Sequence, residues 1–352
     1  MLASWFPSEY NLFAMSKNLQ SQYQDALDYI YSYVDYSLTH QQNLSPENFN
    51  LDRIFALVES LGNPQNQYPV LHVAGSKGKG SVCSFCDSVL REQGYKVGLY
   101  TSPHLKDFEE RIQINGQPMP RADLVSFTQK IKPYVEAIPR LTTFEISTAL
   151  AFWYFADQQI DVGVIEVGQG GRLDATNVVK PLVSVITPLY LEHTDILGDT
   201  LPEIAAEKAG IIKPGAPVVL APQPDSARHV VEKIADQRGA ALTRLGVEYR
   251  YRREGANLEG QTFTIWQSKD GSPTTGASIQ IPLLGPHQVD NAATAYVALQ
   301  NAREKGLEIR DEAIQRGFAN TKWPARFEIL WRGPKTLVVD SAHNPGAARK
   351  LE

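Results

Sequence analysis

The stretch between Pro69 and Val82 constrains the fold more than any other part of this chain. Residues 70–73 are an apolar run typical of a buried strand, and residues 75–80 then contain three glycines and two lysines. Beyond the loop, apolar residues recur at helical spacing, at Val82, Phe85, Val89 and Leu90. A strand, a glycine loop and a helix form a phosphate-binding turn, because loop N–H groups, the helix dipole and a lysine all favour an anion.

This loop departs from the strict P-loop pattern. Gly78, Lys79 and Ser81 resemble that motif, but Gly80 intervenes before the serine and Val73 stands where the leading glycine would be. An ordinary strand-to-helix turn with surface lysines is the alternative interpretation. We favour phosphate binding because of the motifs in the rest of the chain.

Length and charge limit the class of protein. A chain of 352 residues predicts two domains, and 43% hydrophobic with 21% charged residues is typical of a soluble globular protein. A net charge of -5 without a basic block argues against a nucleic-acid partner, and no apolar run approaches membrane-spanning length. The first 14 residues lack a basic start, so we predict no secretory signal and a cytoplasmic location. Met15 is an alternative start, because the first clear helical pattern begins near Ser21.

Cys83 and Cys86 form a Cys-x-x-Cys pair on the helix that follows the glycine loop. No second pair and no histidine cluster lies near them in the sequence. We interpret them as small core residues rather than a redox pair, which fits a reducing compartment.

Apolar runs alternate with helical patterns along most of the chain. The predicted strands are residues 70–73, 96–100, 162–167, 183–187 and 217–221. The predicted helices are residues 22–38, 50–61, 80–93, 121–136, 145–158, 202–211 and 226–238. This alternation predicts a P-loop-type α/β fold, with a mostly parallel sheet covered by helices on both faces. Ligands of such sheets bind at the carboxyl ends of the strands.

The loops at those strand ends contain polar residues. Ser102 follows the second strand, Glu166 ends the third, and His193 follows the fourth. A hydroxyl, a carboxylate and an imidazole beside a phosphate loop would suit Mg²⁺ next to a nucleoside triphosphate. Taken singly, Ser102 could cap a turn, His193 could be an ordinary loop histidine, and residues 168–171 could be a flexible turn.

The pattern changes beyond residue 240. Residues 247–252, 261–267 and 277–284 alternate like strands, which predicts a small antiparallel addition. A helix from Gly285 to about Lys305, a short helix at 311–319, a linker-like stretch at 323–328 and a strand at 336–339 follow.

Nine segments in order resemble the folylpolyglutamate synthase/dihydrofolate synthase family, within the wider Mur ligase group. They are residues 72–81, 101–116, 143–152, 166–177, 193–198, 207–214, 287–292, 323–328 and 340–345. The departures are mild: Ser76 and Lys77 replace the usual Thr-Asn of the loop, and Ser341 replaces a glycine. The resemblance implies an ATP-dependent ligase that joins L-glutamate to a folate or dihydropteroate carboxylate through an acyl phosphate.

The resemblance also implies roles for the residues of the phosphate loop. Lys79, with the backbone of Gly78 and Gly80, would hold the β- and γ-phosphates of ATP, and Ser81 would add a hydroxyl.

Ser102, Glu166 and His193 match the Mg²⁺ ligands of the family. Lys208 matches a lysine that is carbamylated in the group and supports a second metal, and K⁺ is a further expected cation. Without the family match, a solvated helix lysine would be the preferred interpretation of Lys208. Lys79, His193 and Lys208 are therefore the expected catalytic residues.

Further positions match the nucleotide and acceptor sites. Asn291 and Arg326 match nucleotide-contacting residues, Asp340 would hold the ribose, and His343 matches a histidine near the nucleotide. The resemblance makes His104 and Phe144 walls for the pterin, and a core position is the alternative interpretation of Phe144.

The family resemblance also bears on the end of the chain. Only 26 residues follow Arg326, where the family has a whole α/β domain. We therefore predict an ATP-binding domain at residues 1–322, then a linker and the incomplete start of a second α/β domain at residues 323–352. On this hypothesis of truncation, residues from about 327 on pack poorly and turnover is weakened.

Three functions stay open from the sequence. The first is the folate ligase, with dihydropteroate or tetrahydrofolate, L-glutamate and ATP as small-molecule partners and a monomer as the family expectation. The second is a Mur-type ligase that acts on a UDP-sugar peptide. The third is a nucleotide-binding module without turnover.

Overall fold

The computed structural model describes residues 9–34, 50–269, 272–273 and 275–342. The strands are β1 (Val70–Ala74), β2 (Val97–Tyr100), β3 (Ile112–Ile114), β4 (Gln117–Pro118), β5 (Val162–Glu166), β6 (Val183–Ile186), β7 (Val218–Leu220), β8 (Leu242–Arg244), β9 (Tyr249–Asn257), β10 (Gly260–Lys269), β11 (Ser272–Pro273), β12 (Ala277–Ile281), β13 (Glu328–Arg332) and β14 (Thr336–Val339). The helices are α1 (Glu9–Tyr31), α2 (Asp52–Ser60), α3 (Lys79–Gln93), α4 (Arg121–Glu136), α5 (Thr143–Asp157), α6 (Thr194–Leu197), α7 (Leu201–Ala209), α8 (Asp225–Gln237), α9 (Pro286–Glu304) and α10 (Asp311–Ala319).

An eight-stranded sheet organises the described residues, in the order β4–β3–β2–β5–β1–β6–β7–β8. The pairs from β2 to β8 along this order are parallel, whereas β3 and β4 join antiparallel at one edge. Because β1 lies between β5 and β6, the loop after β1 meets the loops after both neighbours at one sheet edge. The predicted mostly parallel sheet is confirmed.

Helices cover both faces of this sheet. Val70 of β1 packs with α1, α2, α4 and α5, whereas Leu71 and Val73 pack with α3, α9 and α10 on the other face. A third group joins α7 and α8 to β6 and β7. Complete burial of each large apolar side chain contributes about 1.5–3 kcal/mol relative to exposure, so both faces stabilise the sheet.

The antiparallel addition is a separate small sheet in which β9 and β12 flank β10, and β11 pairs with the end of β10. Its inner face presents Phe263, Ile265 and Ile279 to the same core as α9. The predicted antiparallel addition is thus confirmed.

The hairpin β13–β14 has largely exposed side chains. Trp331 is 56% and Leu337 is 53% exposed. This agrees with the loose packing expected from about residue 327 onward. The division of the chain at residue 322 remains a prediction.

Two features of the fold differ from the sequence analysis. The helix predicted at 22–38 is α1, which begins earlier, at Glu9, and ends at Tyr31. Residues 9–21 contain no proline or glycine but lack a clear apolar stripe. The prediction was wrong for residues 32–34, which leave the helix and bring Val34 into an isolated bridge with Thr142. The edge strands β3 and β4 and the outer strand β8 were not predicted, because each has only two or three residues. Leu38, at the end of the predicted first helix, lies outside the described residues.

Cys83 and Cys86 are free thiols, fully buried in the core beneath α3, as the packing interpretation predicts. Among the described helices, none has an apolar stretch sufficient to span a bilayer.

Candidate active site

The glycine loop joins β1 to α3 at the sheet edge. Gly78 precedes α3 with φ at +90°, a conformation that favours glycine. The N–H groups of Ser76 and Lys77 donate to the carbonyl oxygen of Pro188, at 3.1 and 3.2 Å. They are therefore engaged, and the donors left for an anion are those of the first turn of α3, which have no acceptor within the helix.

Two lysines meet at the start of this loop. The ammonium groups of Lys79 and Lys208 each donate to the carbonyl oxygen of Gly75, at 3.0 Å. Lys208 is only 2% exposed and forms an ion pair of 2.8 Å with Glu192. Burial, together with the charge of Lys79, lowers the pKa of Lys208 to about 8. Burial alone would raise the pKa of Glu192, but the charges of Lys208 and Lys79 bring it below its usual value.

A close backbone contact sets the position of Lys208. A Cβ atom on Gly171 would lie 2.8 Å from the carbonyl oxygen of Glu207, and one on Gly210 would lie 2.4 Å from the Cα atom of Arg172. The N–H of Arg172 donates to that Glu207 carbonyl at 2.7 Å. Glycine at both positions lets the loop after β5 pack directly on the end of α7, which directs Lys208 toward the phosphate loop.

Ser102 and Glu166 lie together, and His193 begins a short helix in another loop. The N–H of Ser102 donates to Oε2 of Glu166 at 3.2 Å. Burial raises the pKa of Glu166, and the charge of Lys79 partly opposes that shift. His193 is the N-cap residue of α6, with φ at +47° and an exposed side chain. The described residues contain no cluster of three or more histidine, cysteine, aspartate or glutamate side chains suited to a metal.

A buried polar chain supports the loop after β5. The hydroxyl of Thr176 donates to Oδ1 of Asp174 and lies 2.9 Å from Nε2 of His72. Since that hydroxyl proton is directed to Asp174, Nε2 of His72 must carry the proton that it donates to Thr176. Burial lowers the pKa of His72 to about 3, so its imidazole is neutral.

The two expected acceptor residues lie on neighbouring elements. Phe144 is at the start of α5, its ring centroid is 6.2 Å from that of Tyr100, and its Cζ atom would lie 2.4 Å from a Cβ atom on Gly168. His104 lies in the loop after β2, where its Nδ1 accepts a hydrogen bond of 2.9 Å from Nε of the buried Arg111. Phe144 packs against the core cluster of α5, so the core interpretation accounts for part of its surface.

Residues far along the chain also meet the glycine loop. Asn291 lies against Gly78, since its Oδ1 would be 2.2 Å from a Cβ atom there. The ring of Trp323 lies against Gly80, at 2.9 Å from the corresponding Cβ position. The side chain of Arg326 faces the charges of Glu166 and Asp340 and lines a cleft of about 290 Å³ between the β12–α9 connection and residues 321–329.

Of the last two residues expected to bind the nucleotide, Asp340 and His343, only Asp340 lies within the described residues. Asp340 accepts backbone hydrogen bonds from Phe327 at 2.8 Å and from Ala342 at 2.7 Å. Both carboxylate oxygens therefore accept hydrogen bonds from backbone groups at the two ends of the β13–β14 hairpin. His343 lies outside the described residues.

Known proteins match this architecture over most of the chain. The Mur ligase middle domain family matches residues 73–299. A dihydrofolate synthase/folylpolyglutamate synthase of Bacillus subtilis is 36% identical over 336 residues, which cover 94% of this chain and 75% of that protein. The chain belongs to the folylpolyglutamate synthase/dihydrofolate synthase family. A solved complex of a family member with AMPPCP and folate superposes with a TM-score of 0.84 and 36% identity, covering 94% of this chain and 78% of that one.

Members of this family differ in length. A probable bifunctional folylpolyglutamate synthase/dihydropteroate synthase of Halobacterium salinarum is 43% identical over 303 residues, which cover 83% of this chain. This chain spans 35% of the length of that relative.

The donor set fits in part the Mg²⁺ expected in this family. A buried glutamate beside the backbone of Ser102 is an oxygen donor of the type that Mg²⁺ prefers. His193, in the loop after β6, adds an imidazole nitrogen at the same edge of the sheet.

The structure also reveals site residues that the sequence analysis gave no role. Glu192 pairs with Lys208, Arg111 orients His104, and Ser76 contacts the loop after β6. The position of Glu192, next to the expected metal ligand His193, was a signal in the sequence that could have identified it as a site residue. Ser76 carried no such signal, because its partners are backbone atoms more than 100 positions away.

Proposed function

We propose that this chain is an ATP-dependent amide ligase that joins L-glutamate to the carboxylate of dihydropteroate or a tetrahydrofolate. The observation that carries the proposal is the convergence of Lys79 and Lys208 on one carbonyl oxygen of the glycine loop, in a protein of this family. Lys79, at the N-terminus of α3, is suited to neutralise the phosphates of ATP, and Lys208 lies beside it as the amine that would carry the carbamate expected in this family.

The proposed reaction has two steps. A carboxylate oxygen of the acceptor attacks the γ-phosphorus of ATP, the bond to the β-phosphate oxygen breaks, and ADP leaves with the bonding electrons. The α-amine of L-glutamate then attacks the acyl carbon, phosphate departs, and the amine loses a proton as the amide forms.

The residues of this chain would contribute position and charge. Lys79 would leave the Gly75 carbonyl to contact the β- and γ-phosphates, beside the free N–H groups of the first turn of α3. Arg326 would neutralise phosphate charge from the opposite side, and Asn291 and Trp323 would border the nucleotide, because each lies against the loop. Phe144 and His104 would bound the acceptor and help keep water from the acyl phosphate.

Ser102 and Glu166, with His193, would hold Mg²⁺, which supplies charge neutralisation at the phosphates when bound. Lys208 is suited to carbamylation, since a buried amine with a pKa of about 8 is neutral in a substantial fraction of molecules at neutral to mildly alkaline pH. The carbamate would provide a carboxylate-like ligand for a second cation. K⁺ as a further cation, a cytoplasmic location and a monomeric state remain predictions from the family.

A single assay distinguishes this function from the two alternatives, a Mur-type ligase and a nucleotide-binding module without turnover. ADP release is measured with ATP, Mg²⁺ and L-glutamate, and with dihydropteroate, tetrahydrofolate, a UDP-sugar peptide or no acceptor. Release that depends on either pterin acceptor supports the proposal. Release only with a UDP-sugar peptide identifies a Mur-type ligase, and nucleotide binding with no acceptor-dependent release identifies a binding module without turnover.

A further inference from the structure

The side chain of Ser76 joins the glycine loop to the loop that follows β6. Its hydroxyl accepts a hydrogen bond from the N–H of Tyr190 at 3.1 Å and donates to the carbonyl oxygen of the same residue at 3.2 Å. One hydroxyl therefore pairs with both backbone groups of Tyr190, as a neighbouring strand would. Ser76 is 6% exposed, so water competes little for these bonds.

Further contacts hold the same loop. The carbonyl oxygen of Pro188 accepts from the N–H groups of Ser76 and Lys77 at 3.1 and 3.2 Å. On the other side, the amide of Gln223 donates to the carbonyl of Thr187 at 2.9 Å, and its oxygen accepts from the N–H of Leu189 at 2.9 Å. The start of the loop is thus held from both sides, and Ser76 forms the last contact before Glu192.

These contacts close into a ring. From Tyr190 the chain continues to Glu192, whose carboxylate pairs with Lys208 at 2.8 Å. Lys208 in turn donates to the carbonyl of Gly75, the residue before Ser76, at 3.0 Å. The ring therefore begins and ends at two adjacent residues of the glycine loop, and it contains both the buried lysine and its counter-ion.

We propose that Ser76 is a positioning residue that couples the glycine loop to the segment bearing Glu192 and His193. Through the ring, a displacement of the glycine loop by a nucleotide is passed to that segment by the hydroxyl of Ser76, which contacts the backbone of Tyr190 and the carboxylate of Glu192. A threonine at position 76 keeps the hydroxyl and therefore the ring, whereas an alanine removes the hydroxyl and opens the ring. The link to nucleotide and metal rests on the proposed function, but the ring itself does not.

The test compares Ser76→Ala with Ser76→Thr, and uses Ser88→Ala as a matched control. Ser88 is a buried serine on α3 whose hydroxyl donates to the carbonyl of Gly317 at 2.7 Å, outside the ring. Hydrogen exchange of the peptide that contains Tyr190 is followed in the ligand-free chain. Loss of one such hydrogen bond predicts exchange about tenfold faster in Ser76→Ala, and unchanged exchange in Ser76→Thr and Ser88→Ala.

A binding measurement extends the test to the ligand. The affinity for a non-hydrolysable ATP analogue is measured by calorimetry with and without Mg²⁺. We expect Ser76→Ala to weaken binding about tenfold in the presence of Mg²⁺ and much less in its absence, and Ser76→Thr to restore it.

Each outcome decides the proposal. Unchanged exchange in Ser76→Ala, or equal losses in the threonine and alanine variants, would overturn it. If Ser76→Ala does not fold, Ser76→Cys keeps the side-chain size with a weaker hydrogen-bonding group and is expected to show the same faster exchange. If Ser76→Ala exchanges faster but the wild-type chain shows no acceptor-dependent ADP release, the positioning role of Ser76 is supported and only the proposed function is refuted.

Discussion

The ammonium nitrogens of Lys79 and Lys208 both lie 3.0 Å from the carbonyl oxygen of Gly75. Two like charges that share one acceptor repel each other, and Glu192 offsets this repulsion from the side of Lys208. An incoming triphosphate would offset it further, because it would draw Lys79 away from the shared carbonyl. This arrangement is therefore suited to accept negative charge.

Replacement of Lys208 by methionine tests this arrangement. Lys208→Met keeps the length of the side chain but removes the ammonium, which leaves Glu192 without its ion pair. We expect acceptor-dependent ADP release to fall by at least about a hundredfold, as for loss of a group that stabilises transition-state charge. Lys213→Met is the matched control, because burial also lowers the pKa of Lys213 to about 8 while its ammonium donates to the carbonyl of Asn177. Equal losses in both variants would contradict a specific role for Lys208.

His72 predicts how stability depends on pH. Its pKa is about 3 in the folded chain because of burial, against an ordinary value of about 6.5 when unfolded. Between these values the unfolded state binds a proton that the folded state does not, so the free energy of unfolding falls as the pH decreases below about 6.5. The slope from this residue approaches about 1.4 kcal/mol per pH unit. Chemical denaturation at pH 7, 6 and 5 should show a smaller decrease for His72→Gln, whose amide can still donate to Thr176; an equal decrease would argue against a neutral buried imidazole.

The contact between Gly168 and Phe144 can be tested by adding one methyl group. In Gly168→Ala the new carbon would lie 2.4 Å from Cζ of Phe144, so the ring must move. We expect a destabilisation of about 1–3 kcal/mol and a raised KM for the pterin acceptor, with little change in the KM for ATP. The double variant Gly168→Ala/Phe144→Leu removes the clash and should recover stability. A raised KM for ATP alone would mean that Phe144 does not border the acceptor.

Arg111 and His104 predict a coupled effect on acceptor binding. The hydrogen bond from Nε of Arg111 to Nδ1 of His104 leaves the ring proton on Nε2, which is directed away from that contact. In His104→Asn the amide oxygen can still accept from Arg111, but the Nε2 donor is lost. We expect His104→Asn and Arg111→Gln each to raise the KM for the acceptor about fivefold to tenfold, and the double variant to be no worse than either. Additive effects, or equal effects on the KM for ATP, would show that Arg111 acts on the fold rather than through His104.

Local sequence patterns were sufficient to predict the strand, glycine loop and helix at residues 70–93. The apolar run, the glycines and the apolar residues at helical spacing all occur within this one short stretch. The general rule for parallel sheets also brought Ser102 near Glu166, since adjacent strands end at the same edge. Sequence reasoning could not place Asn291 and Trp323 against Gly78 and Gly80, because those contacts depend on how α9 and the following segment pack over α3. It also missed β8, which has three residues and intermediate burial.

The most direct test of the account is to follow an oxygen label from the acceptor into phosphate. The chain is incubated with ATP, Mg²⁺, L-glutamate and dihydropteroate whose carboxylate oxygens are isotopically labelled, and the released phosphate is analysed by mass spectrometry. Ligation through an acyl phosphate predicts one labelled oxygen in each phosphate, released together with an equal amount of amide product. Unlabelled phosphate, or labelled dihydropteroate recovered unchanged while ATP is hydrolysed, would contradict the proposed ligase.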